Sequence, residues 1–389
     1  MFFNRFGLKS RNINIIGFSE LILGFLFFIP IAALYLEQEL FTVTNVALIF
    51  AIQSISIALL EIPTGAFADL FGRKNSYIFG QALFFLGIVF LYIGGSMSMF
   101  ILSAIATAAG NALVSGADRA LIYDTLKQEK KERHFKHLMS ILSALWPLGA
   151  IAGSVIGGFL AKISLSLPIL LSLVPLSISL IMSFFLKEPS YEKDHKKMWK
   201  QMFHSSKLVV QNWQLIILML GGMLMMAFGE TTHQLKPLFL EFKTLPIEYF
   251  GIVFGATFAL SSLGHFFSHH VSDRIGNKKT ILLCAMGFPA MLILATMTSG
   301  IIAVVFLVLT AVFFGLRNPV VEHMLHVEIP SSKRATILSI NNLLTRAGMA
   351  LGAPFIGYFA DLYTINTAFA ISGGLMCGAV VLFAFLKEQ

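Results

Sequence analysis

Ionisable side chains are scarce in this chain, and several stand inside long apolar runs, where their chemistry is easiest to isolate. Glu20 lies eight residues into a run that begins near residue 12. Eight residues of helix span about 12 Å, which is close to the midplane of a hydrocarbon core about 30 Å thick. A charge at that depth costs at least about 2.5–3.5 kcal/mol, so it needs a partner, water or a task. A carboxyl group there is suited to holding a proton or meeting a cation; the alternative is a structural carboxylate bonded to neighbouring helices. Glu230 and His233 stand three residues apart on one helical face, with Gln234 beside them and Lys236 one turn farther on. A carboxylate next to an imidazole forms a candidate proton relay; an outer gate or a solvated vestibule is the competing use. Arg346 lies twelve residues beyond Arg334, about 18 Å along its helix. It must meet an acid, backbone carbonyls or an anionic ligand, and Glu20 and Glu61 are the candidate acids.

A second set of charges gathers near helix ends. Glu61 precedes Pro63, Thr64 and Gly65, while Asp118, Arg119, Asp124, Arg317, Glu322 and His323 fall near the same side. An ion-pair network that breaks during a conformational change is the use expected of them. His265, His269 and His270 lack carboxylates at ligand spacing, and Cys284 and Cys377 sit singly in apolar runs. No metal site or disulfide is expected. Trp146 beside Pro147, Phe25, Phe27 and Phe28, and Met223, Met225 and Met226 offer aromatic and thioether surface that accepts varied amphipathic molecules. For each taken singly, packing or facing lipid is the commoner use.

The elements that must position these groups follow from composition. Of 389 residues, 57% are hydrophobic and only 12% charged, which excludes a soluble domain, a disordered chain and a coiled coil. Apolar runs broken by polar residues predict twelve spans, at 12–36, 43–67, 75–95, 98–124, 137–161, 164–186, 213–236, 247–271, 278–297, 300–325, 335–360 and 364–386. The first is long and contains Glu20 and Pro30, so it is expected to remain as a helix and not to be cleaved as a signal peptide. The net charge of +8 belongs to topology and not to nucleic acid. With both termini in the cytoplasm, only Lys162, Lys236 and Lys243 fall outside and Arg119, Arg317 and Arg346 within spans, the rest of the 28 Lys and Arg lying inside. The expectation is an all-α membrane protein of twelve transmembrane helices in two pseudo-symmetric six-helix bundles, 1–186 and 213–389. Residues 187–212 would form a cytoplasmic linker. Met198, Trp199, Met202 and Phe203, beside Lys196, Lys197 and Lys200, make this linker either an amphipathic helix on the inner leaflet or a solvated connection.

The halves echo each other. The stretch Gly65, Asp69, Gly72, Arg73, Lys74 follows span two, and Asp273, Arg274, Gly276, Lys278 follows span eight, 204 positions later. At an offset of 199, Gly116, Gly149, Gly153 and Gly158 match Gly315, Gly348, Gly352 and Gly357, as expected of a duplicated bundle. Together with the six-plus-six spans and the basic central loop, the complete Gly-x-x-x-Asp-x-x-Gly-Arg-Lys motif makes the chain resemble the major facilitator superfamily of secondary transporters. In the second copy His269 stands for the first Gly and Asn277 for the Arg. The resemblance implies that Asp69 caps a neighbouring helix and pairs with basic residues to hold the cytoplasmic side closed, with Glu61, Asp118 and Arg119 serving the same gate. It also implies that spans one, four, seven and ten line the cavity, which places Glu20, Asn111 and Glu230 there. Asn111 occupies the depth at which many proton antiporters of the family carry an Arg. Gly149–Gly158 looks like the family's antiporter signature, with Ser154 in place of a Pro; close packing by small residues explains the same glycines.

No phosphate-binding loop, nucleotide domain or catalytic insertion is present in the pattern, so neither enzyme activity nor a cofactor is expected. An ion gradient must then supply the energy. The resemblance implies a proton-coupled exporter of small hydrophobic or amphipathic compounds in a bacterial inner membrane, working as a monomer with a small-molecule substrate, protons and the lipid bilayer as its partners. A proton symporter or facilitator for uptake is the first rival, and a non-transporting receptor or scaffold of the same fold is the second.

Overall fold

A computed structural model describes residues 10–189, 209, 211–330 and 333–387; the expected amphipathic segment of the linker lies outside them. Helices account for 88% of the described residues. Among the described residues, fourteen α-helices run in order: α1 Arg11–Leu23, α2 Ala32–Leu40, α3 Val43–Phe71, α4 Arg73–Ile93, α5 Met97–Gln128, α6 Phe135–Ala161, α7 Ser166–Ser183, α8 Trp213–Gln234, α9 Lys236–Phe242, α10 Phe250–Ile275, α11 Asn277–Met297, α12 Gly300–Glu328, α13 Arg334–Leu362 and α14 Ile365–Ala384. Ten of the helices are long and apolar enough to cross a membrane. In a bilayer the helix is one of only two folds that satisfy every backbone hydrogen bond within the protein.

Span one departs from the expected continuous helix. It ends at Leu23 and resumes at Ala32, with a short 3-10 turn at Ile29–Ile31 between them. Pro30 has no N–H to donate and clashes with the preceding turn, so a break at this point is sterically favoured. Irregular backbone at this depth requires other protein groups as partners. The Ser172 hydroxyl supplies one by accepting from the Phe27 N–H at 2.9 Å while donating to the Pro168 carbonyl at 2.7 Å. Span seven runs unbroken to Gln234, and after Leu235 a short helix, α9, begins with Lys236 and Pro237.

The glycines of α6 explain how the broken segment is seated. A Cβ on Gly149 would lie 2.2 Å from the Leu21 carbonyl oxygen, one on Gly153 2.8 Å from the Phe25 Cα, and one on Gly157 1.9 Å from the Phe27 oxygen. Backbone therefore lies directly on backbone, as small residues spaced four apart permit. In the second copy Gly348 and Gly352 meet side chains of α8 instead, Met223 Cγ at 2.6 Å and Ala227 Cβ at 3.6 Å from the corresponding Cβ positions.

The Cα positions sort into two compact units. One contains the described residues of Met1–Ile31, Ile55–His195 and Ile247–Gly255, the other those of Ala32–Ser54, Lys196–Pro246 and Ala256–Gln389. In the first, Asn12 brackets the end of span six, its amide donating to the Lys187 carbonyl at 2.8 Å and accepting from the Lys187 N–H at 2.8 Å. In the second, Gln214 accepts from the Lys387 N–H at 2.8 Å. The repeat is thus expressed in hydrogen bonds as well as in glycines.

Candidate functional site

Glu20 stands on the last full turn of α1, just before the helix breaks, and two cavities of the first unit meet at its side chain. The first, about 150 Å³, is lined by Glu20, Leu23, Leu26, Gln81, Phe84, Gly110, Asn111, Val114 and Trp146. Three residues singled out in the sequence, Glu20, Asn111 and Trp146, are brought together here from α1, α5 and α6. Gly110 allows α4 and α5 to approach behind the cavity, since a Cβ there would lie 2.6 Å from the Phe84 nitrogen. The lining is one carboxylate and two amides on an otherwise apolar and aromatic wall. Such a chamber binds an apolar ring through area and orients it by few polar contacts.

The second cavity, about 130 Å³, is lined by Ile16, Glu20, Asp118, Arg119, Ile122, Met139, Leu142 and Ser143. Asp118 and Arg119, expected in the gating network, share this wall with Glu20. The Arg119 N–H donates to the Asp118 carboxylate. A carboxylate on the boundary between an aromatic chamber and a charged one can face a bound cation on one side and a hydrated proton route on the other. Gln81 and Phe84 of α4 had not been singled out; their place opposite Glu20 depends on the rotation of α4, which no spacing in one chain encodes.

The remaining candidates lie elsewhere. Glu230, His233 and Arg346 belong to the second unit. There Glu230 accepts from the Gln234 amide at 3.4 Å, and the His233 ring lies edge-on to Phe258 with centroids 5.9 Å apart. The cations whose charge reaches Glu230 are Arg346 and Lys236. Lys236 is buried and donates to Thr257 at 3.1 Å.

The Gly65–Lys74 motif leads into α4 with Gly72 at φ +100°, a conformation glycine adopts without strain. Glu188 closes onto that helix start, its two oxygens accepting from the Arg73 and Lys74 N–H groups at 2.7 and 2.8 Å. A carboxylate at a helix N-terminus is stabilised by the orphan N–H groups and the helix dipole. Arg73 Nε also stands 3.5 Å from Asp124. Glu188 was missed in the sequence because it lies 114 residues from Lys74, at the end of span six. The side chain of Asp69 lies outside the described set, and a Cβ on Gly65 would meet nothing within 4 Å. In the second copy Gly276 keeps the turn at φ +88°, with nothing against it, and Asp273 and Arg274 are exposed beside the half-buried Lys278.

Comparison with known proteins places this geometry. The family model described as Major Facilitator Superfamily matches residues 15–242 and 235–389. Multidrug resistance protein 2 of Bacillus subtilis (strain 168) is 22% identical over 98% of this chain and 96% of its own. Quinolone resistance protein NorA of Staphylococcus aureus is 22% identical over 94% of this chain and 95% of its own. Among solved structures, the nucleoside transporter NupG superposes with a TM-score of 0.80 at 14% identity, covering 95% of this chain and 98% of that one. A D-xylose-proton symporter gives 0.76 at 14% identity, covering 97% of each. At such identities the structures establish the fold alone.

Proposed function

Because the chain belongs to the Major Facilitator Superfamily, and is therefore a multi-pass membrane transporter and not an enzyme, we propose that it exports small hydrophobic or amphipathic compounds in exchange for protons, through the site built around Glu20. The observation that carries this reading is the position of Glu20 on both cavity walls. A single carboxylate cannot be protonated and also neutralise a cationic substrate, so occupancy by one displaces the other, and each half of the cycle needs the opposite occupant. Trp146 and Phe84 supply apolar area, while Asn111 and Gln81 supply adaptable hydrogen bonds. The multidrug and quinolone relatives support export; the fold neighbours that carry nucleosides and sugars keep uptake as the rival. The membrane is taken as a bacterial inner membrane, with both termini cytoplasmic, on the strength of the Lys and Arg asymmetry. The motif at Gly65–Lys74, with Glu61 and the second copy at Asp273–Lys278, is assigned to gating.

The test is flux in proteoliposomes carrying an imposed pH gradient, with Glu20→Gln compared against the unaltered chain. Loss of proton-driven flux by at least about tenfold, which corresponds to about 1.4 kcal/mol, is expected with the thermal unfolding midpoint unchanged. Unchanged flux would remove Glu20 from the coupling site. Substrate moving with the proton gradient, and not against it, would establish the uptake reading.

A further inference from the structure

Two buried hydroxyls lie close to Glu20 without a settled partner. Thr107, Thr125 and Ser172 of the first unit each donate to a carbonyl one turn back on their own helix, at 2.8, 2.6 and 2.7 Å, the usual way in which such a group is satisfied. Ser19 does not, although α1 offers it the Ile15 carbonyl at the same spacing. Its hydroxyl and the phenol of Tyr77 are both fully buried, and among the described residues neither completes a hydrogen bond of ordinary geometry. The two stand together. Tyr77 adjoins Ser19 and Gln81, and the carboxylates whose charge reaches it are Glu20 and Asp118.

Helix geometry makes this arrangement compact. Tyr77 and Gln81 are one turn apart on one face of α4, Ser19 immediately precedes Glu20 on α1, and Gln81 and Glu20 line the same cavity. An unpaired hydroxyl in an apolar interior is costly, so a state of the protein that engages these donors is favoured. A carboxylate engages them best, because hydrogen bonds to an ionised acceptor are about twice as strong as neutral ones.

We propose that Tyr77 is a positioning residue of the site: with Ser19 and Gln81 it forms a buried set of donors that turns toward Glu20 when the carboxylate is charged and relaxes when the proton returns. This role presupposes Glu20 as the coupling group, and it gives an apolar chamber a way to hold a charge before a cation arrives. The charged groups facing Glu20 are Asp118 and Arg119 of α5; α6 contributes Met139, Leu142, Ser143 and Trp146 to the two walls, none of them charged. Asp118 opposes a charge on Glu20 and Arg119 favours it, which leaves the uncharged donors to tip the balance.

The test follows the protonated carboxyl stretch of Glu20 by infrared difference spectroscopy, on the full chain in lipid bilayers, as pH is stepped from about 4 to 9. The band is identified by its loss in Glu20→Gln. Losing a donor disfavours the charged form, so the carboxyl takes up its proton at higher pH. Tyr77→Phe keeps the ring and removes only the hydroxyl; it is expected to raise the titration midpoint by at least about half a pH unit, about threefold in proton affinity. Ser19→Ala is expected to move the midpoint the same way, and Tyr92→Phe, at the far end of α4, to leave it within about 0.2 unit. An unmoved or lowered midpoint in Tyr77→Phe would overturn the proposal, as would a Glu20 band that does not titrate over that range. Should Tyr77→Phe not fold, Ser19→Ala carries the same decision. No substrate enters the measurement, so a midpoint that rises as stated while Glu20→Gln retains flux refutes the coupling reading alone. An unmoved midpoint with flux lost in Glu20→Gln refutes the positioning role alone.

Discussion

At the scale of residues, the account depends on polar groups that are few and closely employed. Ser172 is one of them. Its hydroxyl accepts from the Phe27 N–H in the gap of span one, and removing it leaves that half-buried N–H without this partner, a loss of about 1–3 kcal/mol. Ser172→Ala is therefore expected to lower the thermal unfolding midpoint of the purified protein. Ser177→Ala removes only a hydroxyl bonded to Val174 on its own helix and is expected to stay within about 0.5 kcal/mol of the unaltered chain; equal effects at both positions would contradict the role given to Ser172. The chemistry at Glu20, Asn111 and Trp146 was legible because polarity and aromaticity are conspicuous in an apolar run. What opposes them was not: Gln81 and Phe84 are ordinary residues of an amphipathic pattern until the helix that carries them is given its rotation. Arg346 shows the converse, a charge whose need for a counter-charge was plain while its nearness to Glu230 required coordinates.

At the scale of elements, the glycines divide into those that seat a helix and those that do not. Gly157 lies against the Phe27 carbonyl, whereas a Cβ on Gly222 of α8 would meet nothing within 4 Å. Overfilling a packed contact costs about 1–3 kcal/mol, and Gly→Ala at an unhindered helical position gains about 0.4–1 kcal/mol. Gly157→Ala is accordingly expected to lower the unfolding midpoint and Gly222→Ala to raise it, as read by thermal unfolding in detergent; a stabilised Gly157→Ala protein would contradict the packing described for α6. Glu188 belongs to this scale as well. Glu188→Gln weakens the charge held against the N-terminus of α4, and a destabilisation of about 0.3–1 kcal/mol is expected, measured by the same method and shrinking as salt is raised. The spacing of small residues in α6 was visible in the sequence, but whether it served packing or coupling was open, since both uses ask for the same residues. The break in span one was foreshadowed by Pro30 and overlooked because the apolar run continues through it.

At the scale of the whole molecule, hydrophobic length and the repeated motif carried most of the architecture. Twelve runs, a polar division near the midpoint and two copies of one motif imply a duplicated helical bundle, and the family match over the length of the chain establishes it. The substrate was not legible for a physical reason: the cavity wall is assembled from α1, α4, α5 and α6, each contributing one to three residues, with Leu26 from the break after α1, to a surface that exists only after packing. Coupling is likewise a property of the cycle and not of one residue. The claim that most needs testing is the competition between proton and substrate at Glu20. A compound chosen by thermal stabilisation of the purified protein should be added outside proteoliposomes at equal internal and external pH, with internal pH followed by a trapped dye. The account predicts proton movement opposite to the substrate in the unaltered chain and none in Glu20→Gln; the same proton movement in both proteins would contradict it.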